Sequence, residues 1–368
     1  MARVAMVVSN AFMPDPRVYK EAKSLVGHGF KVTVYAWDRE CKYPKNEVVD
    51  EIVVKRVHVR SKYGNCFMFM VTAPIFWVLA LLRILVEGAD TIHCHDFDTV
   101  PVGVLVKVLT QNTKMAYDAH EYYPAMVVDQ IPKVLHALLV WVDKVFMRIA
   151  DCVIIPCEER KRFYAGAKNL IVVPNTPKLV DVPMRAKQKE FSVFYGGGLS
   201  KENGILVMVN AMIGIQYAKL ILAGDGPLRH VIERISEKKD NIKYLGFISQ
   251  REVLENLACA DATFVFYEPT NINKVYSASN KLFEAMMVGV PVVVNEETKP
   301  SKMVKEYDCG VVVPYGDIQA LRREIIRLES DPSLRKRLGR NGKKVFREKF
   351  AWDLVELDFV NEYKLLLK

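Results

Sequence analysis

The chain has 368 residues, of which 51% are hydrophobic and 26% are charged, and its net charge is +9. This length suits two domains of ~170–190 residues, and the composition excludes a disordered or low-complexity chain. Seven scattered cysteines without a Cys-x-x-Cys pair indicate reduced thiols rather than a disulfide framework. The positive charge favours anionic partners, but no zinc-finger or RNA-binding signature indicates nucleic acid.

Strand-like and helical segments alternate along the first half of the chain. The strand-like runs stand at 3–9, 31–37, 90–96, 114–120, 152–157 and 170–175. An amphipathic segment closed by Gly27 and Gly29 separates the first two runs, which predicts a βαβ unit, and another helix is expected at 132–149. Because uninterrupted β-branched runs are typical of strands buried on both faces of a parallel sheet, we expect a doubly wound α/β domain over residues 1–178.

One uncharged segment, residues 64–82, is nearly long enough to cross a membrane. Pro74 is expected to open a helix there and Arg83 and Glu87 to close it, which leaves ~14 helical residues, or ~21 Å against a ~30 Å hydrocarbon core. We therefore expect a buried helix, with a helix lying on the membrane surface and a spanning helix as alternatives. The N-terminal apolar run is too short for a signal peptide and predicts the first strand of a cytoplasmic protein.

A second α/β series occupies the other half of the chain. A proline-containing polar stretch predicts a linker at 179–190. Strand-like runs then follow at 191–197, 218–224, 242–247, 261–267, 291–297 and 310–314. These runs predict a second parallel-sheet domain over 191–349, with a basic helix near 332–349. Residues 350–368 are expected to form a final helix that crosses back to the first domain.

Glycines and charged groups near predicted helix starts indicate an anion site in the second domain. In SNKLFEAMMVGVPVVV (279–294), Asn280 and Lys281 stand where a helix begins, and free N–H groups there favour a diphosphate. Glu284 lies one turn further, where a carboxylate can accept both hydroxyls of a ribose. In AGDGPLR (223–229), Gly224 and Gly226 flank Asp225 and allow close backbone approach to a nucleotide. The alternative interpretations are a capped surface helix and an ordinary turn.

Polar residues also follow the predicted strands of the first domain. YDAHEYYP (117–124) places Asp118, His120 and Glu121 at a strand end, where ligand-binding residues of such sheets belong. HDFDTVPVG (95–103) carries Asp96 and Asp98 at an Asp-x-Asp spacing. Two carboxylates without a further ligand make a weak metal site, so we expect no metal. Asp98 also suits the N-cap of the next helix.

Five segments, in this order, resemble the family-four retaining glycosyltransferases of the GT-B fold: FMPDPRVYKEA (12–22) and the four motifs containing Asp96, His120, Gly224 and Lys281. The resemblance implies two Rossmann-like domains facing across a cleft, the first on the acceptor side and the second binding a nucleotide sugar. It places His120 at the donor sugar and phosphate, and Glu121, Asp96 and Asp118 on the acceptor side. Backbone amides around Gly197 would bind phosphate. Arg17 would reach a phosphate or the acceptor, or else be a solvated first-turn arginine.

The chain departs from the family pattern at three positions. The family usually places an Arg and a Lys after the first strand of the second domain, where this chain has Gly198 and Asn203. It commonly has a second glutamate where this chain has Tyr276. Two diphosphate-binding cations and one sugar-binding carboxylate are therefore absent from these positions.

These observations predict a retaining, metal-independent hexosyltransferase of polysaccharide biosynthesis. The donor is a UDP- or GDP-sugar, bound as a co-substrate with no other cofactor, and the acceptor is a hydroxyl of a glycan, a lipid-linked sugar or a small molecule. His120, Lys281 and Glu121 are the expected catalytic residues. We expect no nucleic-acid partner, and a peripheral contact with the inner face of the membrane is an alternative to a freely cytoplasmic protein. A non-catalytic nucleotide-sugar-binding or glycan-binding protein and a sugar-nucleotide epimerase are the alternative functions.

Overall fold

The computed structural model describes residues 1–13, 15–128, 130–182, 190–277 and 279–367. The chain divides into two compact units, of which unit 1 comprises Met1–Pro174 and Glu356–Lys368 and unit 2 comprises Asn175–Val355. Most of the linker predicted at 179–190 lies outside the described residues. Each unit is a doubly wound α/β domain, as the sequence predicts.

Unit 1 is built on an eight-stranded sheet. Its strands are β1 (Arg3–Val8), β2 (Lys31–Asp38), β3 (Asn46–Val49), β4 (Ile52–His58), β5 (Thr91–His95), β6 (Lys114–Asp118), β7 (Cys152–Ile155) and β8 (Leu170–Val172). Their order is β3-β4-β2-β1-β5-β6-β7-β8, and all neighbours are parallel except β3 and β4. The order reverses between β1 and β5, which is the point where ligands bind in sheets of this kind.

Helices cover both faces of this sheet. They are α1 (Pro16–Gly27), α2 (Cys66–Glu87), α3 (Val100–Thr110), α4 (Tyr123–Met126) and α5 (Lys133–Ile149). The buried side chains of α2 and α3 join those of β1, β2, β5, β6 and β7 in one hydrophobic core.

Helix α2 differs from the sequence prediction in length and in burial. It begins at Cys66 rather than Pro74, because Asn65 caps it by accepting the Met68 N–H at 2.9 Å. Pro74 stands inside the helix, which costs the hydrogen bond its N–H would have made. The packed side of the helix compensates, since Thr72, Ala73 and Phe76 are buried in the core. Only 28% of the most apolar 18 residues are buried, so the prediction of a buried helix is wrong for the outer side.

Unit 2 is built on a six-stranded, fully parallel sheet. Its strands are β9 (Phe191–Gly196), β10 (Ala218–Ala223), β11 (Ile242–Tyr244), β12 (Ala262–Val265), β13 (Val292–Asn295) and β14 (Gly310–Val313). They lie in the order β11-β10-β9-β12-β13-β14, the arrangement of dinucleotide-binding folds. All six predicted strands are confirmed, and the order reverses between β9 and β12.

The helices of unit 2 alternate with these strands. They are α6 (Ile205–Met212), α7 (Arg229–Ser236), α8 (Gln250–Cys259), α9 (Ile272–Val275), α10 (Asn280–Val288), α11 (Lys299–Tyr307), α12 (Ile318–Ser330) and α13 (Pro332–Val345). The predicted basic helix at 332–349 is α13 followed by a π-helical turn over Phe346–Phe350.

The final helix, α14 (Trp352–Leu366), begins in unit 2 and ends in unit 1. Within unit 1, the Tyr363 ring lies edge-on to Phe30, with the ring centroids 5.8 Å apart, and also contacts the His93 ring at 5.8 Å. Phe359 and Tyr363 are both buried. Residues 356–367 therefore supply part of the core of unit 1, although they lie far from it in the sequence.

Candidate functional site

Two glycine-containing loops touch each other at the carboxyl edge of the unit 2 sheet. They follow β9 and β10, which are adjacent strands. A side-chain carbon at Gly224 would lie 1.9 Å from the Gly197 carbonyl oxygen, and one at Gly226 would lie 2.6 Å from that of Leu199. Both glycines have positive φ angles, so no other residue fits there without strain. A backbone hydrogen bond joins the two loops, in which the Leu199 N–H donates to the Asp225 carbonyl at 2.9 Å.

Lys281 extends over the first of these loops from the start of α10. Its Nζ atom would lie 2.9 Å from a side-chain carbon at Gly197, and it is 5.2 Å from the centroid of the Tyr195 ring. The Gly197 amide itself donates to the Ala223 carbonyl at 2.9 Å. The Gly197 amide therefore already has a backbone partner, and the missing side chain of Gly197 makes room for Lys281; phosphate binding by amides around Gly197 stays a prediction.

The residues at the two altered family positions brace the loop. The Gly198 carbonyl accepts hydrogen bonds from the Asn203 amide at 2.9 Å and from the Tyr195 hydroxyl at 3.0 Å. Asn203 is buried. Lys201, between these positions, is exposed and lies 3.8 Å from the Glu268 carboxylate. Asn203 thus fixes the loop conformation but brings no positive charge.

Glu284 lies on the same side of α10 as Lys281, three residues further along. Its carboxylate accepts a hydrogen bond of 2.7 Å from the Gln250 side chain at the start of α8, and the residue is 9% exposed. Gln250 holds the carboxylate in one orientation. Asn280 and Asp225 are exposed at the start of α10 and at the tip of the second loop, where Asp225 accepts the Gly226 N–H at 2.8 Å.

In unit 1, three predicted residues meet at the ends of β5 and β6. The His120 ring lies between two carboxylates, with Nδ1 3.2 Å from Asp96 and Nε2 3.1 Å from Asp118. Asp96 also accepts the His120 backbone N–H at 3.1 Å. Asp96 has φ 64° and ψ 163°, a conformation that is costly outside glycine. This strained backbone aims its carboxylate at His120.

The charges of His120 and of its neighbouring carboxylates shift one another's pKa values. Burial alone would lower the His120 pKa, but Asp96 and Asp118 outweigh it and raise the pKa to about 9. Burial would likewise raise the Asp118 pKa, but Arg17 and His120 hold it well below its usual range. His120 is therefore a cation and Asp118 an anion at neutral pH.

Arg17 and Asp118 form a buried ion pair rather than ligand contacts. Arg17 donates from Nη2 to Asp118 at 2.7 Å and from Nε to the same carboxylate at 3.2 Å. Both side chains are almost fully buried. A phosphate contact from Arg17, or an acceptor contact from Asp118, would require breaking this pair. Arg17 is not a solvated first-turn arginine either, and Asp118 acts on the site through His120.

A cluster behind this pair has the chemistry of metal ligands. One ligand atom from each of Glu21, His93, His95 and Asp118 lies within 4.8 Å of the others, and all four residues are buried. The Arg17 guanidinium lies against both carboxylates, 3.2 Å from Glu21, and already supplies the positive charge that they need. Burial and the Asp118 charge also raise the Glu21 pKa to about 8, so Glu21 is largely protonated at neutral pH. The expectation that the site holds no metal stays a prediction.

The remaining predictions on unit 1 concern Glu121 and Asp98. Glu121 is partly exposed after β6. Burial is the main cause that raises the Asp96 pKa to about 6, and the neighbouring acidic groups, Glu121 among them, add to it. Asp98 does not cap α3, because it lies within a short 3-10 helix, 3.6 Å from the Arg39 guanidinium.

The sequence reasoning missed Glu21, His93 and His95 in unit 1, and Tyr195 and Gln250 in unit 2. The alternation of His93 and His95 along one strand was the available signal, since residues two apart share a face.

Both halves of the chain match described families. Residues 17–176 match the family described as Glycosyltransferase Family 4, and residues 181–345 match Glycosyl transferases group 1. An uncharacterized glycosyltransferase of Methanocaldococcus jannaschii is 25% identical over an alignment 381 positions long, which covers 94% of this chain and 93% of that protein.

Solved structures share the fold. Sucrose-phosphate synthase from Thermosynechococcus elongatus has a TM-score of 0.81 at 20% identity, covering 100% of this chain and 99% of that one. Anabaena HepE, in complex with UDP-glucose, has a TM-score of 0.75 at 13% identity, covering 99% of this chain and 100% of that one. Because the two family matches together span most of the sequence, the chain belongs to the group 1 glycosyltransferases of the GT-B fold.

Proposed function

We propose that this glycosyltransferase moves a hexose from a UDP- or GDP-sugar to a hydroxyl group, with retention of the anomeric configuration. The observation that carries the proposal is the position of Lys281 over Gly197, beside two loops that only glycine allows to meet. A cation, a helix start and a close backbone approach together suit a nucleotide diphosphate. The UDP-glucose bound to Anabaena HepE, which shares this fold, supports the same class of donor.

Glu284 is proposed to bind the ribose of the donor. Its carboxylate lies one helical turn from Lys281 and is oriented by Gln250. A carboxylate has acceptor capacity for two hydroxyl groups in addition to one amide. The nucleoside would then lie along α10, with its diphosphate towards Lys281.

In the proposed reaction, the bond between the anomeric carbon and the diphosphate oxygen breaks while the acceptor oxygen attacks from the same face. Negative charge develops on the diphosphate, where Lys281 stabilises it. The proton of the acceptor hydroxyl passes to the departing phosphate oxygen. His120, a cation at neutral pH, is not the base for this proton, and its proposed role is to supply positive charge to the donor. Glu121 and Asp96 are proposed to orient the acceptor, a hydroxyl of a glycan, a lipid-linked sugar or a small molecule.

Nucleotide-dependent unfolding tests the donor site directly. A ligand that binds only the folded protein raises its Tm, by an amount that grows with ligand concentration over Kd. UDP or GDP and the matching sugar nucleotide should raise the Tm, and Glu284→Ala should reduce the shift. The anomeric configuration of the product, read by NMR, tests retention. Failure of UDP, GDP and their sugars alike to shift the Tm would contradict the proposal.

A non-catalytic nucleotide-sugar-binding protein is the second candidate. The observation that favours it is the hydrogen bond from the Asn203 side chain to the Gly198 carbonyl. Asn203 stands where the family usually has a phosphate-binding cation, and it brings no charge there. Such a protein would bind the sugar nucleotide without turnover. A Tm shift with UDP- or GDP-sugar in the absence of both hydrolysis and transfer would identify it.

A further inference from the structure

A large apolar surface covers one side of unit 1. It is formed by the outer sides of α2, α3 and α5, and α3 packs against both other helices. Single exposed hydrophobic residues are normal on protein surfaces, but a cluster on three neighbouring helices marks an interaction site. We refer to it as the apolar face. Its exposed residues include Val71, Val78, Leu82, Leu109, Leu138 and Trp141.

The packed side of α2 prevents this helix from leaving the unit. Phe76 stacks on Trp37, with ring centroids 5.0 Å apart, and Thr72 donates to the Ser61 hydroxyl at 3.0 Å. By length and composition alone, α2 would be able to cross a membrane. If α2 crossed a membrane, the core residues that it covers would be exposed. A lipid bilayer can therefore contact only the outer side of α2, with the helix lying along the membrane surface.

The charges on the three helices are mostly positive, and the exposed ones on α5 are cations. Within α2, α3 and α5, which are described in full, the acidic residues are Glu87 and Asp143. Glu87 lies 2.6 Å from Lys55, and Asp143 is buried and accepts a hydrogen bond from the Tyr117 hydroxyl. The cations Lys133, Lys144 and Arg148 of α5 are exposed. A partner that fits the apolar face therefore has an apolar surface and, next to it, negative charges that contact these cations.

A basic groove adjoins the amino end of α2. It has a volume of about 570 Å³, and its cations Arg39, Arg60 and Lys62 outnumber the single acid, Glu40; Ser61, Tyr63 and Met68 complete the lining. Arg60 and Lys62 are exposed. This combination is typical of a membrane interface: the cations bind anionic lipid headgroups, and the tyrosine has one apolar and one polar end.

We propose that unit 1 docks on an anionic lipid bilayer through the apolar face, lying on the surface without spanning it. The apolar side chains enter the interface, and Arg60, Lys62, Lys133, Lys144 and Arg148 contact lipid phosphates. A second copy of the chain fits less well. A symmetric contact brings the same patch to itself, so these cations would face like charges. The inference goes beyond the proposed function, because docking requires neither donor nor turnover.

Cosedimentation with vesicles tests the proposal. The full chain should bind phosphatidylcholine vesicles that contain phosphatidylglycerol, and binding should weaken as salt is added. Val78→Glu with Leu82→Glu should lower the partition coefficient at least tenfold, since Leu82 is 54% exposed and both sites face outward. The matched control is Ile326→Glu on α12, which is 41% exposed and should bind like the wild type.

A charge variant separates the electrostatic contribution from the apolar one. Each cation near an anionic surface is worth about fivefold in binding, so Lys144→Gln with Arg148→Gln should lower binding to phosphatidylglycerol vesicles by about 25-fold. The same variant should bind pure phosphatidylcholine vesicles as the wild type does. Unaltered far-UV circular dichroism and an unaltered nucleotide-induced Tm shift would show that the variants are folded.

Three results would overturn the proposal. One is an absence of wild-type binding to either vesicle type at low salt. Another is equal binding by the Val78→Glu, Leu82→Glu variant and the wild type. The third is a wild-type dimer, seen by light scattering, that the same double variant converts to a monomer while vesicle binding is absent, because the apolar face would then be a self-association surface. Loss of transferase activity in solution has no bearing on these outcomes.

Discussion

Replacing Lys281 by methionine is the sharpest perturbation of the donor site. Methionine keeps most of the length and the apolar character of the lysine stem and deletes its charge. The loop that Lys281 overlies lacks the cations usual in the family, since Gly198 has no side chain and the buried Asn203 amide is bound to the Gly198 carbonyl. In unit 2, Lys281 is therefore the best-placed cation for the charge that develops on the departing diphosphate.

The expected cost follows from the position of Lys281 at a partly buried loop. Two unit charges ~4 Å apart interact by about 4 kcal/mol at the effective dielectric of such a site. Removing one preorganised donor to a developing anion typically lowers turnover by ~10²–10³. We therefore expect kcat of Lys281→Met to fall by about that factor. Because Lys281 is only partly buried, the fold should persist.

Single-turnover transfer measured at saturating donor separates this charge effect from weaker binding. Lys201→Met is the matched control, because Lys201 lies between the two altered positions but is exposed and close to Glu268. It should retain nearly full activity. A loss below tenfold for Lys281→Met would refute the reasoning. A comparable loss in Lys201→Met would show that the loop lysine carries the charge instead.

Other perturbations have equally definite expectations. Glu284→Ala should weaken nucleotide binding about 10–150-fold by calorimetry, since a charge-assisted hydrogen bond is worth roughly 1.5–3 kcal/mol, and unchanged affinity would remove Glu284 from the site. Arg17→Met should destabilise the protein by about 3–5 kcal/mol in urea unfolding, because it removes the bidentate cation from buried Asp118 and leaves it, among the described residues, only His120 as a positive partner; a change below ~1 kcal/mol would contradict the buried ion pair. The pKa of His120 is raised to about 9, so its contribution to stability is complete below pH ~6.5 and is lost as the pH rises through about 9. His120→Gln should therefore lower the Tm most near pH 6 and least above pH ~9, whereas a constant difference across this range would count against the assignment. Transfer should continue in EDTA because Arg17 already neutralises Asp118 and Glu21 is largely protonated, and activity lost to the chelator and restored by Mn²⁺ or Mg²⁺ would show a required metal.

The strands buried on both faces of the sheets were predictable because their apolar runs are uninterrupted. The β3–β4 pair was missed, since Lys55 and Arg56 break the apolar run of β4. Their charges are met by Glu87 and Glu47, each at 2.6 Å, and Glu87 lies far away in the sequence. Helix α2 was predicted too short because Pro74 favours a helix start in isolation. Packing against the core overrides that local preference.

The candidate site was predictable where a short motif carries it. The glycines and Lys281 stand in two such motifs, and the structure places them together. The ion pair of Arg17 with Asp118 was not predictable, because it joins the start of α1 to the end of β6 across the folded unit. The cluster around His93 likewise joins elements that meet only after folding. The pKa values of its groups depend on their burial and on one another's charges, which the local sequence does not show.

The path of α14 determines the order in which the two units are completed during synthesis. Unit 1 begins the chain, but its core includes Phe359 and Tyr363, which emerge from the ribosome only after all of unit 2. Until α14 has been synthesised, Phe30 and His93 lack the Tyr363 ring that packs against them. Unit 2 can close its own core before unit 1 is complete. A fragment ending at residue 174 should therefore aggregate or recruit chaperones during synthesis, and a supplied peptide of residues 352–367 should increase its soluble yield.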